Sequence, residues 1–334
     1  MDAQKTLYPL KFSPIFKEKI WGGTKLKTTL GKDFAPLTTC GESWELSGVK
    51  GNESIVKKGA LSGTNVSKLI ELFQEKLVGQ HVLNSYGHEF PLLIKFLDAK
   101  EDLSIQVHPE EHLAQKRHNS HGKTEMWYIM QADENASLIS GFKQKINKEK
   151  LEELFRTNNV SDVLNREFVQ SGDVFFIPAG RVHTIGAGIL LAEIQQTSDL
   201  TYRIYDFDRV DKNGEKRALH TDLALEAINF EVKDSFKSTY STQKNKSVEI
   251  VSCPFFTTRK LYFDQQIDQD YSSIDSFIIY MCVEGNATIE VTHSESVSIE
   301  KGEVILLPAM FDYAKLTPNK TCELLEIYIK PTDS

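Results

Sequence analysis

Two stretches of this 334-residue chain, GDVFFIPAGRVHTIG at 172–186 and GEVILLPAMFDYAKL at 302–316, follow one pattern: Gly, an acid, Val, a short apolar run, Pro, Ala. The residues upstream rhyme too, YIMQADENASL at 128–138 against YMCVEGNATI at 280–289. A β-rich unit met twice, ~130 residues apart, restricts the chain to tandem β-sandwich or jelly-roll domains. Short strand signals agree: SIQVH (104–108), MWYIM (126–130), DVFFIP (173–178) and FIIYMCV (277–283) are rich in aromatic and β-branched residues and bounded by turn formers. Helical spacing occurs at 66–77, 147–168 and 221–230, the second reading as an insertion between strand-rich blocks. The polar stretch 237–247 has no apolar period and reads as a linker. The expected fold is mainly β: two jelly-roll sandwiches with a small helical insertion.

The two copies differ eleven residues past their opening glycines, where the first has His183 and the second Tyr313. A metal-binding His at that position is therefore open to the first copy alone. Three segments of the first copy gather ligand types. In SIQVHPEEH, Gln106 and His108 stand two apart and share a strand face; in HGKTEMWY, Lys123 and Glu125 do the same. In PAGRVHTIG a Pro-Ala-Gly turn delivers His183 onto a following strand. Two His and one Glu are a common ligand set for a catalytic zinc, and Gln106 can add an oxygen. His81, His88, His118, His121, His220 and His293 lack such pairing and read as ordinary solvated or hydrogen-bonded residues.

Other chemistries fit less well. His108-Pro-Glu-Glu-His112 has the spacing of an inverted zinc-protease motif, but Pro109 is tolerated only in a first helical turn, which leaves His108 outside the helix. No P-loop occurs, so phosphate or oxyanion recognition would fall to residues such as Lys95, Ser104, Lys123, Arg181 and Arg203. The net charge of −8 argues against nucleic acid or an anionic membrane as a main partner. Four scattered cysteines without a Cys-x-x-Cys speak against a disulfide framework or a thiolate metal site. The start, MDAQKTLYPLKF, shows no signal-peptide pattern, and the longest apolar run, about 277–283, is far short of a membrane span. A cytoplasmic enzyme is expected.

The Gly172-to-His183 pattern resembles the second motif of the cupin superfamily, whose His binds metal at the mouth of a jelly roll. Over nearly the whole chain, IWGGTKL (20–26), GESWELSG (41–48), PLLIKFLDAKEDLSIQVHP (91–109), GKTEMWYIM (122–130), GDVFFIPAGRVHTIG (172–186) and EIQQTSDLTYRIYDFDR (193–209) together resemble the type I phosphomannose isomerases, in the same order. Members of that family are zinc-dependent cupins that interconvert mannose 6-phosphate and fructose 6-phosphate. The resemblance implies one Zn2+ per chain on Gln106, His108, Glu125 and His183. It places a catalytic arginine at Arg203, an active-site lysine at Lys123, an acidic pocket residue at Glu193 and a phosphate-binding serine at Ser104. Lys95 and Trp21 are expected to contact substrate.

The implied organisation is a metal-binding catalytic cupin domain over 1–236, carrying the helical insertion around 147–168, and a metal-free cupin-like domain over 248–334. The expected partner is a small phosphosugar, with no nucleic acid and no membrane, in a monomer or homodimer. Proton transfer through an enediol requires a general base, for which Lys123 and Glu193 are both suited. A dry pocket walled by Trp21, Trp127 and Tyr202 would strengthen its electrostatics. Where the family motif usually ends Tyr-Asp-Trp-Gly-Arg, this chain reads Tyr205-Asp206-Phe207-Asp208-Arg209, which adds a carboxylate near an anion's pocket. Two alternatives remain open at this point. One is a non-catalytic sugar-binding cupin; the other is an isomerase of a different sugar. An iron-dependent cupin oxygenase would favour His where Gln106 stands.

Overall fold

The computed structural model describes residues 6–157, 159–210 and 213–331. The chain divides into two compact units, one of residues 16–43 and 95–238, the other of residues 1–15, 44–94 and 239–334. Met1–Lys5, part of the start read for a leader, lies outside the described residues.

The first of these units is a sandwich of antiparallel strands. In one sheet Ile189–Gln196, Glu125–Ala132, Val174–Ile177 and Lys237–Ser238 are successive neighbours, with Leu92–Ala99 on the other side of Ile189–Gln196. The second sheet orders Tyr202–Tyr205, Ile105–Val107, His183–Thr184, Ser137–Phe142 and Leu164–Phe168. Strand pleating then decides what faces what. Trp127, Ile129, Leu138, Ile177, Ile185 and Leu191 pack in one buried cluster between the sheets. Ile105, Val107, Ile139 and Val182 point the other way, beneath the helices Lys148–Arg156 and Thr221–Ala227. Their alternating neighbours Gln106, His108 and His183 must therefore face the interior of the sandwich.

The predicted helical stretch 147–168 is helix only at Lys148–Arg156, capped by Asn147, whose side chain accepts from Lys150 N. A 3-10 turn follows at Val160–Val163, and Leu164–Phe168 extends as a strand beside Ser137–Phe142. The helix survives because Leu151 and Leu154 bury one face. His108-Pro-Glu-Glu-His112 is split as Pro109 requires: the helix spans Glu111–His118, and His108 directly follows the strand Ile105–Val107.

The other unit carries the second copy of the repeat. Val304–Leu307 pairs with Ile278–Met281 as Val174–Ile177 pairs with Glu125–Tyr128. Past each Pro-Ala turn the chain enters a strand, at His183 in the first copy and at Tyr313 in the second. Gly180 takes φ +85 in the first turn, where a Cβ would also come within 3.0 Å of Ala227 O. The fold is thus mainly β with cupin-type sandwiches, as the repeat predicts. Among the described residues, no helix is long and apolar enough to cross a membrane.

Candidate metal centre and active-site cleft

Gln106 and His183 are directly opposed in neighbouring strands, and Arg203 is opposed to Gln106 on its other side. Glu125 opens the strand that pairs with Ile189–Gln196, where Trp127 lies opposite Glu193. Three sequence segments thereby converge. His108, Glu125 and His183 are buried, and each offers a ligand atom within 4.8 Å of the others. His108 Nε2 lies 3.2 Å from Glu125 Oε1, and His183 Nε2 lies 3.9 Å from Glu125 Oε2.

The hydrogen bonds assign the tautomers. His108 Nδ1 donates to Leu200 O at 2.8 Å, and His183 Nδ1 donates to Arg181 O at 2.8 Å, since a carbonyl can only accept. Each imidazole therefore turns the lone pair of its Nε2 toward Glu125. Burial, ahead of the Lys123 charge, pushes His108 down to about 3, and burial likewise lowers His183. Both rings are neutral, the form that binds a cation. Burial opposes charge on Glu125, yet Lys123 and the histidines hold its carboxyl well below the usual carboxylate range. His108 Nε2 and Glu125 Oε2 are buried without a hydrogen-bond partner, while Glu125 Oε1 faces the Lys123 ammonium. An unpaired buried polar atom costs about 1–3 kcal/mol, so their convergence fits a divalent cation. Gln106 borders the group, its Nε2 3.3 Å from His183 Nε2 and its Oε1 accepting from Ser104 Oγ at 3.3 Å.

A cleft opens over this group, lined in part by Trp21, Lys95, Ser104, Lys123, Glu193 and Arg203. All six catalytic and substrate-binding positions expected from the sequence are thus together. Glu193 is held at both oxygens, accepting from Trp127 Nε1 at 2.8 Å and facing Lys95 Nζ at 2.5 Å. Burial first, then the Glu125 charge, raises its carboxyl above the ordinary value. Burial works against the Lys95 ammonium, but Glu193 and Glu42 outweigh it and hold its pKa up. Lys123 Nζ is 3.0 Å from Glu125 Oε1. Arg203 Nη1 donates to Ala218 O at 2.9 Å, while its Nε is buried without a partner.

Two candidates fall elsewhere. The Arg181 guanidinium donates to Phe176 O and Glu231 and lies over Phe236, so only its carbonyl serves His183. Tyr202 packs with Ile105 and Val107 and meets His118, because its neighbour Arg203 takes the cleft face of the strand. Other participants carry no signal of their own in the sequence. Lys19, Glu42 and Arg217 also line the cleft, and His220, passed over as an ordinary histidine, accepts from Arg203 N at 3.1 Å. Glu42 lies inside the GESWELSG segment, which hinted at it without a role.

The shifted histidines set a pH dependence. Between the unfolded value of 6.5 and the folded value of about 3 for His108, the unfolded chain binds protons that the folded chain refuses. Stability is therefore fully present above pH 6.5 and is lost as pH falls through that window. Chelator-treated protein is expected to melt lower at about pH 5 than at about pH 8, by a margin that shrinks in His108→Gln. An undiminished margin in that variant would assign the effect to other groups.

A cupin-type sandwich with a buried His–Glu–His group under a polar cleft defines a cupin with a candidate metal centre. Comparison with known proteins narrows that class to a family. The family model for the type I phosphomannose isomerase catalytic domain matches residues 9–144, and that for the mannose-6-phosphate isomerase cupin domain matches residues 246–329. The chain is 35% identical over 301 residues to a mannose-6-phosphate isomerase of Streptococcus mutans, covering 90% of this chain and 92% of that one. It is 34% identical over 323 residues to a mannose-6-phosphate isomerase of Bacillus subtilis, covering 95% and 98%. A crystal structure of mannose 6-phosphate isomerase from Bacillus subtilis superposes with a TM-score of 0.86 at 32% identity, covering 96% and 99%. The chain belongs to the type I phosphomannose isomerase family.

Proposed function

We propose that this protein is a metal-dependent aldose–ketose isomerase that interconverts mannose 6-phosphate and fructose 6-phosphate. The observation that carries the reading is the pair of neutral, buried imidazoles whose Nε2 atoms converge with Glu125 beneath a cleft lined by cations. His108, Glu125, His183 and Gln106 are the proposed ligands, the Gln106 amide offering its oxygen after a half-turn. Zn2+ is the proposed ion, and when bound it supplies Lewis-acid polarisation of the sugar oxygens.

The chain's own residues do the rest. The reaction moves one proton between C2 and C1 and one between the two oxygens, with an enediol between, so no redox partner is needed. Glu193, whose carboxyl burial raises above the ordinary carboxylate value, is the proposed carrier of the carbon-bound proton. Trp127 and Lys95 hold its carboxylate in one orientation. Lys123 is proposed to donate to a sugar oxygen, and Arg203 to hold the negative charge that develops on the enediolate. Ser104, Lys95 and Trp21 are the proposed substrate-binding walls, with Trp21 excluding water from the cleft.

Activity on mannose 6-phosphate, coupled to detection of fructose 6-phosphate, tests the reading. kcat/KM is expected to exceed that on free mannose by roughly 10²–10⁴, the worth of two charged hydrogen bonds. Equal values on both sugars would remove the phosphosugar assignment.

The domain over 248–334 is proposed as a metal-free cupin copy. Tyr313 donates to Asp268 Oδ1 at 2.5 Å where the first copy has His183. Elemental analysis is expected to find about one equivalent of metal per chain. Two equivalents would place a second ion outside the His–Glu–His group.

A further inference from the structure

The cations of the cleft are not equally available. Lys19 is met by Glu42 at 3.1 Å, Lys95 by Glu193 at 2.5 Å and Lys123 by Glu125 at 3.0 Å. These three lysines and three glutamates cancel. Arg203 and Arg217 remain, and both line the cleft.

Arg217 is held by a single residue. Asp206, 5% exposed, accepts from Arg217 Nε at Oδ2 at 2.7 Å and from Arg217 Nη2 at Oδ1. That two-point contact fixes the plane of the guanidinium and leaves Nη1 with no role in it. Arg209 takes the remaining capacity of the same carboxylate at 2.6 Å, while its Nη1 is committed to Asp102 O. Arg203 has no carboxylate ion-pair partner among the described residues. Three guanidiniums thus surround one carboxylate, leaving two positive charges. The carboxylate added to the arginine motif, Asp208, does not reduce that excess, because it faces outward to Lys216 at 2.7 Å. The crowding is unfavourable as it stands: burial, and next the Arg217 charge, destabilise the Arg203 guanidinium.

We propose that Arg217 is the receptor for the phosphate of the sugar and that Asp206 is its positioning residue. A phosphate ester carries about −1.5 to −2 at neutral pH, matching the two excess charges, and offers acceptor oxygens of which a guanidinium edge can take two. Asp206 therefore strengthens anion binding, by orienting a guanidinium that would otherwise be repelled by Arg203 and Arg209. This inference rests on the phosphosugar reading above, but its test reads phosphate by itself.

The metal-loaded protein is assayed with mannose 6-phosphate, and inorganic phosphate is titrated as a competitive inhibitor, in wild type, Arg217→Ala, Asp206→Asn and the double variant. In Arg217→Ala, Ki for phosphate and KM for the sugar phosphate are expected to rise roughly ten- to a hundredfold, more than kcat falls. Asp206→Asn should raise the same two constants by less. Because it acts through the guanidinium, it should add almost nothing in the Arg217→Ala background. A merely structural Asp206 would lower thermal stability and leave Ki in place. If Arg217→Ala loses its metal, Arg217→Gln gives the same readout with a shape closer to the original. An unchanged Ki in a folded, metal-loaded Arg217 variant overturns the inference. A wild type that binds phosphate competitively with any substrate but fails to isomerise mannose 6-phosphate overturns the reaction reading and leaves this one standing.

Discussion

Replacing His183 by alanine is expected to remove metal and activity together, leaving less than about a hundredth of wild-type turnover. The ring is fully buried and is the only imidazole on its strand, set opposite Gln106 by the strand pairing. Its Nδ1–H is committed to Arg181 O, so no other tautomer could serve and no neighbour can replace Nε2. Alanine leaves Glu125 with one imidazole instead of two. Metal content and kcat measured on one preparation decide the matter. Full metal with low activity would make His183 a catalytic group rather than a ligand, and full activity would remove it from the site.

Arg203→Ala should behave in the opposite way, keeping the metal while kcat falls by roughly 10²–10³, the range for loss of one oxyanion donor. The side chain sits beside Gln106 through the strand register, and its backbone is fastened to His220 on both sides: Arg203 N donates to His220 Nδ1 and Arg203 O accepts from His220 N. A cation so fixed needs no reorganisation as negative charge develops on a sugar oxygen. Lysine at this position should recover little, because a flexible point charge does not reproduce a planar fork. A surface role, in which Arg203 merely pairs with Asp206, would cost under ~1 kcal/mol and leave kcat near normal. The geometry already speaks against that role, since Asp206 is taken by Arg209 and Arg217.

What could be seen in the sequence was whatever depends on local geometry. Residues two apart in a strand share a face, so Gln106 with His108, and Lys123 with Glu125, could be paired before any fold was known. The repeated Gly…Pro-Ala pattern announced two β-rich copies, and the exchange of His183 for Tyr313 told them apart. Pro109 spoke against a helical His-x-x-Glu-His motif over 108–112. Resemblance to a family then supplied roles for Arg203, Glu193 and Ser104 that spacing could not.

The tertiary structure decided what each of those residues does with its second side. The carbonyl that fixes His108 belongs to Leu200, 92 residues on, and the carboxylate that engages Lys19 and Lys95 comes from Glu42. Which cations were spent on glutamates and which were left for an anion depended on such distant pairings. So did the holding of Arg217 by Asp206, which are eleven residues apart across a turn with Phe207 and Asp208 at positive φ. Charge pairing is set by separations of a few ångströms, and sequence separation carries almost no information about those distances once strands from different segments are laid side by side.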